Sequence, residues 1–335
     1  TDNAVIPYAV GVDIACRVMI TAFDIPMEYF YKKAEKFKKI LEDNTQFGIG
    51  ANWQKRKDHS VMSDAWGMTP LLKGLRDKAW SQLGTSGSGN HFVEFGELEI
   101  QEGFTLAPGR YLALVSHSGS RGAGASIAMH YSNLARKHHP NLPKGLKQLA
   151  WLPLDHEDGI EYWESMQLMG RYASANHHII HESIGGSLRA EKLMQVENHH
   201  NFAWKEVHGG KEVVVHRKGA TPAGKGVLGY IPGSMTAPGF LVEGKGNEDS
   251  LYSCSHGAGR RLSRKQAKNS MTLNQLRKIL SEAGVELLSA GLDEAPHAYK
   301  DINQVMSDQR DLVQIRGRFQ PRLVKMASPD EKPED

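Results

Sequence analysis

Residues 27–43 read MEYFYKKAEKFKKILED. Tyr29, Phe30, Ala34, Phe37, Ile40 and Leu41 recur there at three- and four-residue spacing, which makes one face of a helix apolar and leaves lysines and acids on the other. The spacing predicts an amphipathic surface helix, a piece of scaffold. Two more patterns of the same period run from about Asp158 to Ile184 and from about Thr272 to Ser289, the latter with Leu273, Leu276, Ile279, Leu280 and Val285 on one face. Between them lie short apolar runs rich in β-formers, at 110–116, 212–216, 227–231, 240–243 and 312–315. Both periods in one chain predict an α+β fold, with mixed sheets and flanking helices. No linker rich in Pro, Gly or Ser divides the sequence and no internal repeat stands out, so one compact domain is expected over 1–328. The tail PDEKPED, 329–335, is too polar to bury a core and is expected to be disordered.

Bulk properties exclude several classes. With 335 residues, 40% of them hydrophobic, the chain can bury a sizeable core. It has no apolar run of the roughly eighteen residues that a spanning helix needs. The first residues, TDNAVIPYAVGVDIACRV, carry neither the basic stretch nor the apolar block of a signal peptide, and the expectation is a soluble, cytoplasmic protein. Cys16 and Cys254 are the only cysteines, too few for a disulfide scaffold at this length. A net charge of +3, from 41 basic and 38 acidic residues, is too small to indicate nucleic acid by itself. The sixteen histidines say more, depending on where they fall.

Gly, Ser, Asn and His concentrate in five short segments: GVDIACRV (11–18), GTSGSGNHFVE (84–94), SHSGSRGAG (116–124), ENHHNFAWKE (197–206) and CSHGAGRRLSR (254–264). Loops of this composition let backbone amides and imidazoles approach a ligand closely, because glycine removes the Cβ obstacle. Asp13 and Cys16 stand three apart, and a carboxylate beside a thiolate is electrostatically poor unless a cation lies between them. A metal resolves the conflict; a buried structural cysteine is the plainer alternative. Cysteine with histidines and a carboxylate suits a borderline-soft divalent ion, zinc or manganese alike. Asn90, His91 and Glu94 end a glycine-rich turn, His117 stands with Ser118, Ser120 and Arg121 in a nest of donors suited to an anion, and His199 and His200 form a further pair. The run GATPAGKG (219–226) matches a P-loop until its last position, where Gly226 replaces the hydroxyl and Pro222 removes an amide, so a P-loop is rejected. His256, followed by Arg260 and Arg264, has the company a histidine needs to attack a phosphoryl group, or merely to contact one.

Taken in order, VGVDIAC, HRKGATPAGKG, IPGSM, EGKGN, SHGAGR, LDEAPHAYKDI and the final LVK resemble the RtcB family of RNA-splicing ligases over nearly the whole chain. The resemblance implies a GTP- and manganese-dependent RNA ligase that joins 3′-phosphate or 2′,3′-cyclic phosphate ends to 5′-hydroxyl ends, in RNA repair or tRNA processing. It implies an RtcB-like domain with a central metal-containing cleft. Asp13, Cys16 and His91 would hold one Mn2+ and Cys16, His117 and His200 a second, with His256 carrying GMP. Asn90, His91, Phe92, Val93 and Glu94, the turn Pro232, Gly233, Ser234 and Met235, the run His256, Gly257, Ala258 and Gly259, and Lys325 would seat the nucleotide. Arg121, Lys218, Arg260 and Arg264 would meet RNA phosphates. Three departures accompany the match. The family's front segment, with its proline-aspartate-valine-histidine motif, does not appear ahead of Thr1, as in a truncated or short variant. Ala15 and Arg17 replace glycines, predicting a stiffer, more basic loop, and Gly239 replaces a small polar residue, predicting a weaker guanine preference. The rival expectations are a binuclear metallophosphatase that opens cyclic ends without sealing them, and an inactive RNA-end binding protein.

Overall fold

The computed structural model describes residues 1–328 and 331, so the tail expected to be disordered lies, except for Glu331, outside the described residues. Eight strands make one sheet: β1 (Arg17–Phe23), β2 (Phe92–Ile100), β3 (Gly109–Ser118), β4 (Lys192–His199), β5 (Leu228–Ile231), β6 (Gly239–Gly244), β7 (Glu286–Ser289) and β8 (Val313–Met326). In the order β5-β6-β8-β2-β3-β1-β4 each neighbouring pair is antiparallel, and β7 lies parallel to β8. Alternation divides the side chains between two faces. Phe23, Val93, Phe95, Leu112, Leu114 and Leu323 pack under helices α1 (Met27–Lys32), α2 (Ala34–Asn44) and the C-terminal half of the long helix from Glu157 to Leu188. Val18, Ile20, Ala113, Val115, Leu98, Phe319, Tyr230 and Leu241 fill the other face.

That second face is covered by the sheet itself. Asn198, near the end of β4, accepts from the Tyr230 backbone N–H at 2.7 Å and donates to the Tyr230 carbonyl at 3.3 Å, tying β4 to β5 at the opposite end of the strand order. The curl brings the two edges together at Asn198 and Tyr230 and leaves a mouth at the His117 end of β3.

Two further helices, α3 (Pro70–Gln82) and α4 (Arg121–His138), together with that long helix, α5 (Glu157–Leu188), build a second apolar cluster with Trp66, Tyr131, Tyr162 and Tyr172. Three small two-stranded sheets lie apart from the main one, among them the hairpin of Phe202–His208 with Lys211–Arg217. Two helical expectations need correction. The pattern at 27–43 is broken at Lys33, whose φ of −121° divides α1 from α2. The pattern at 272–289 holds only as α6 (Leu273–Glu282), closed by Gly284 at φ +66°; Val285 fits the helical stripe in sequence but leads into β7. The run read at 312–315 is the start of the 14-residue β8. No helix among the described residues is long and apolar enough to cross a membrane.

Candidate active site

The turn from Asp13 to Cys16 is shaped by Ala15, which sits in the left-handed region at φ +57° with its N–H on the Asn201 carbonyl. An L-residue there costs about 1 kcal/mol or more, and the reward is that Asp13 and Cys16 face the same point. The Cys16 carbonyl accepts from His200 N–H at 2.9 Å, so the β4 end is held against this turn. Arg17 does not make the turn more basic toward the cleft: it is buried the other way, paired with Glu197 and donating to the Gly170 carbonyl at 2.9 Å.

Four imidazoles converge on or beside the Cys16 sulfur. His117 Nε2 lies 3.0 Å from Sγ and His91 Nε2 lies 3.6 Å from it and 3.0 Å from Asp13 Oδ2. The His200 ring stands 5.5 Å from the His117 ring and 4.7 Å from that of His256. Backbone carbonyls set the tautomers. His91 Nδ1 donates to Ser86 O at 2.6 Å, His117 Nδ1 to Asn90 O at 3.0 Å and His256 Nδ1 to Gly219 O at 2.6 Å. The Nε2 of His117 and of His256 therefore carries its lone pair inward when the ring is neutral, while that of His91 faces the Asp13 carboxylate. His200 Nδ1 is buried with no hydrogen-bond partner. Burial, with neighbouring imidazoles, pulls His117 down to about 3 and His200 well below its ordinary value; burial also lowers His256. Burial alone would raise the Asp13 carboxyl, but the His91 contact, with Cys16 and Arg121, brings it below the usual carboxylate range. Converging lone pairs, an acid and an orphaned nitrogen fit divalent cations. Asp13, Cys16 and His91 form one set with ligating atoms within 4.8 Å of one another, Cys16, His117 and His200 a second, and Cys16 belongs to both.

Behind the ligands a row of hydrogen bonds runs from β4, through β1 and helix α5, to the end of β3. Gln195 Nε2 donates to Thr21 Oγ1 (2.9 Å), and Thr21 lies 2.7 Å from His181 Nδ1; His181 Nε2 lies 2.8 Å from Ser116 Oγ, which is 2.5 Å from His177 Nδ1. His177 Nε2 ends the row on the Ser118 carbonyl at 3.2 Å. Because that carbonyl only accepts, every bond points from Gln195 toward Ser118. The Ser118 hydroxyl reaches Ser86 O, the same oxygen that holds His91. Sequence reading missed this pair of helical histidines at four-residue spacing, although the run HHIIH (177–181) was visible.

A cavity of about 250 Å3 opens from His117 and His256 along the mouth of the curled sheet. Asn90, Phe92 and Glu94 line it, with Pro232 to Met235 and His256 to Gly259. Of the expected nucleotide residues, His91 turns to the ligand cluster, while Val93 points into the core of the other face. Lys325 shares that face: its ammonium meets the carbonyls of Leu41, Glu42 and Thr45 at 3.2 to 3.5 Å, while its neighbours Val324 and Met326 line the cavity. Strand alternation makes this unavoidable. Tyr230, Glu294 and Tyr299 also line the cavity, unassigned from sequence. Burial raises the Glu94 carboxyl well above its ordinary value.

The four expected phosphate-binding cations do not form one patch. Arg260 donates to both Glu294 oxygens at 3.1 Å, and Arg264 pairs with Asp293 at 2.9 Å and with Glu294. Lys218 packs over the Tyr8 ring at 4.2 Å. Arg121, at φ +57° and donating to Thr85, borders a second cavity of about 280 Å3 that also meets Asp13, His91 and Lys78. The ligand cluster lies between the two cavities.

A curled antiparallel sheet with a cysteine shared by two sets of ligands that could hold metal ions, and a cavity beside it, has the features of a metalloenzyme site. A family model described as tRNA-splicing ligase RtcB matches residues 68–326. The chain is 33% identical to the RNA-splicing ligase RtcB of Escherichia coli, over 94% of this chain and 82% of that protein. It is 32% identical to the tRNA-splicing ligase RtcB of Methanococcus maripaludis, over 81% of this chain and 66% of that one. The chain belongs to the RtcB family of ligases.

Proposed function

We propose that this chain is a GTP- and Mn2+-dependent RNA ligase that joins a 3′-phosphate or 2′,3′-cyclic phosphate end to a 5′-hydroxyl end through a guanylylated His256. The observation that carries the reading is the Cys16 sulfur shared by two ligand sets, with the His200 and His256 rings 4.7 Å apart. The names of the relatives support an RNA ligase. When bound, two divalent ions would neutralise phosphate charge and polarise the P–O bond to be broken.

The chain's own residues supply the rest. Gly219 O holds the His256 proton on Nδ1, and burial keeps the ring neutral, so Nε2 has the lone pair that a nucleophile needs. Nε2 attacks the α-phosphorus of GTP, a P–N bond forms and pyrophosphate departs with the broken P–O bond. An RNA 3′-phosphate oxygen then takes the guanylyl group and releases the imidazole; the 5′-hydroxyl attacks the activated phosphate and GMP leaves. A cyclic end is first hydrolysed to the 3′-phosphate. Glu94 suits the guanine: an acidic group disfavoured as a bare ion in its buried site gains most from two N–H donors, which N1 and the 2-amino group provide.

Incubation with α-labelled GTP and Mn2+ tests the reading. Wild-type protein is expected to become labelled and the His256→Ala variant to stay unlabelled with its metal content intact. Phosphate release from cyclic ends without any labelling would favour the metallophosphatase, and label retained in His256→Ala would move the nucleophile elsewhere.

A further inference from the structure

Gly239 stands where a small polar residue was expected, yet the space beside it is occupied. A Cβ built on Gly239 would lie 1.9 Å from the Tyr230 hydroxyl. The register explains the approach: Tyr230 pairs with Leu241 across β5 and β6, which puts Gly239 diagonally opposite on the same face. Both residues line the cavity, as does Glu94. The Tyr230 ring is 1% exposed and lies edge-on to Phe319 with centroids 6.0 Å apart, so packing fixes its direction. Its backbone is tied at both polar atoms to Asn198, and the hydroxyl end of the ring borders the cavity beside Gly239. A phenol held at the edge of a cavity gains a hydrogen bond from any acceptor bound there.

We propose that Tyr230 is a specificity-determining residue for the nucleotide: its hydroxyl, admitted by the bare Cα of Gly239, donates to the acceptor on the base edge that Glu94 also reads. The inference rests on the reading of this cavity as the guanine nucleotide site. A guanine edge presents the 2-amino group, N1–H and O6 in a row, two donors and then an acceptor; a carboxylate matches the first two and an adjacent hydroxyl the third. Adenine presents an acceptor where guanine has N1–H and a donor where it has O6, so the same pair rejects it. Burial, reinforced by the Glu94 charge, keeps the phenol protonated and therefore a donor. The hydroxyl lost at position 239 is thus regained from the neighbouring strand, and the weaker guanine preference expected from Gly239 alone does not follow.

The test is equilibrium binding of GTP and of ATP, each with Mn2+, to protein carrying His256→Ala so that no transfer occurs. Tyr230→Phe, which keeps the ring, is expected to weaken GTP by about 2- to 10-fold, the range of one neutral hydrogen bond, while ATP is unchanged and the thermal midpoint holds. Gly239→Ser alone is expected to collide with the phenol and lower both the midpoint and GTP affinity. Gly239→Ser combined with Tyr230→Leu returns a hydroxyl to the same space and is expected to recover GTP over ATP selection. Equal GTP affinity and selectivity in Tyr230→Phe would overturn the role of Tyr230 while leaving the nucleotide site standing. Failure of the parent protein to bind either nucleotide would overturn both.

Discussion

Two groups of polar side chains meet the same cavity, one through His117 and the other through Arg260, Glu294 and Tyr299, and they are balanced in opposite ways. At its floor, Asp13, Cys16, His91, His117 and His200 aim lone pairs at one another around a single sulfur. At its rim, Arg260 and Arg264 meet Asp293, Glu294 and Tyr299, and the charges cancel within the protein. The floor would be completed by cations, whereas the rim is already balanced by its own charges and gives the cavity its shape.

The largest expected effect is at the floor. Cys16→Ala removes the one atom common to both ligand sets, so bound Mn2+ should fall from two per chain to below one, with affinity lowered more than roughly 100-fold. Elemental analysis after dialysis measures this, and two retained ions would show that the sulfur is not shared. At the rim the expected loss is in stability. Glu294→Ala takes the carboxylate from Arg260 and leaves Arg264 only Asp293, and should cost about 3 kcal/mol in denaturant unfolding. An unchanged midpoint would mean the rim is not held by its own charges.

Acid sharpens the contrast through the row behind the floor. Burial lowers His177 well below its ordinary value and His181 to about 3. Below the unfolded-state value near 6.5 the unfolded chain binds protons that the folded one refuses, so stability is full above that pH and falls as pH drops toward the folded values. Each such histidine adds a slope of up to about 1.4 kcal/mol per pH unit, and His181→Gln should lower the total slope by that much. A slope identical in the variant would remove His181 from the account. The smallest effect is expected at Ala15→Gly, where relief of the left-handed backbone is offset by a more flexible unfolded chain. Unfolding should shift by less than about 1 kcal/mol and metal content should not change.

The sequence made the floor readable because chemistry there is carried by residue type: Asp13, Cys16, His91, His117 and His200 sit in glycine-rich segments that advertise close approach. All five meet in space. Face and partner were harder. Lys325 follows Val324 in a strand, and only the curl of the sheet decides which of them reaches the cavity. Arg260 and Arg264 looked free because Asp293 and Glu294 lie about thirty residues away and no local pattern links them. Tyr230 read as one more β-former, since its role depends on an absent side chain across the ladder. Val285 continued a helical stripe that Gly284 had already ended.

The row from Gln195 to Ser118 has a sense of direction as well as a position. Each hydroxyl and each neutral ring in it owns one proton, so fixing the proton at either end dictates all the others, as in a line of dominoes that can fall only one way. Replacing Thr21 by valine would therefore do more than delete a contact. It would free the rings to turn over and loosen the hold on the Ser118 carbonyl at the end of the strand that carries His117.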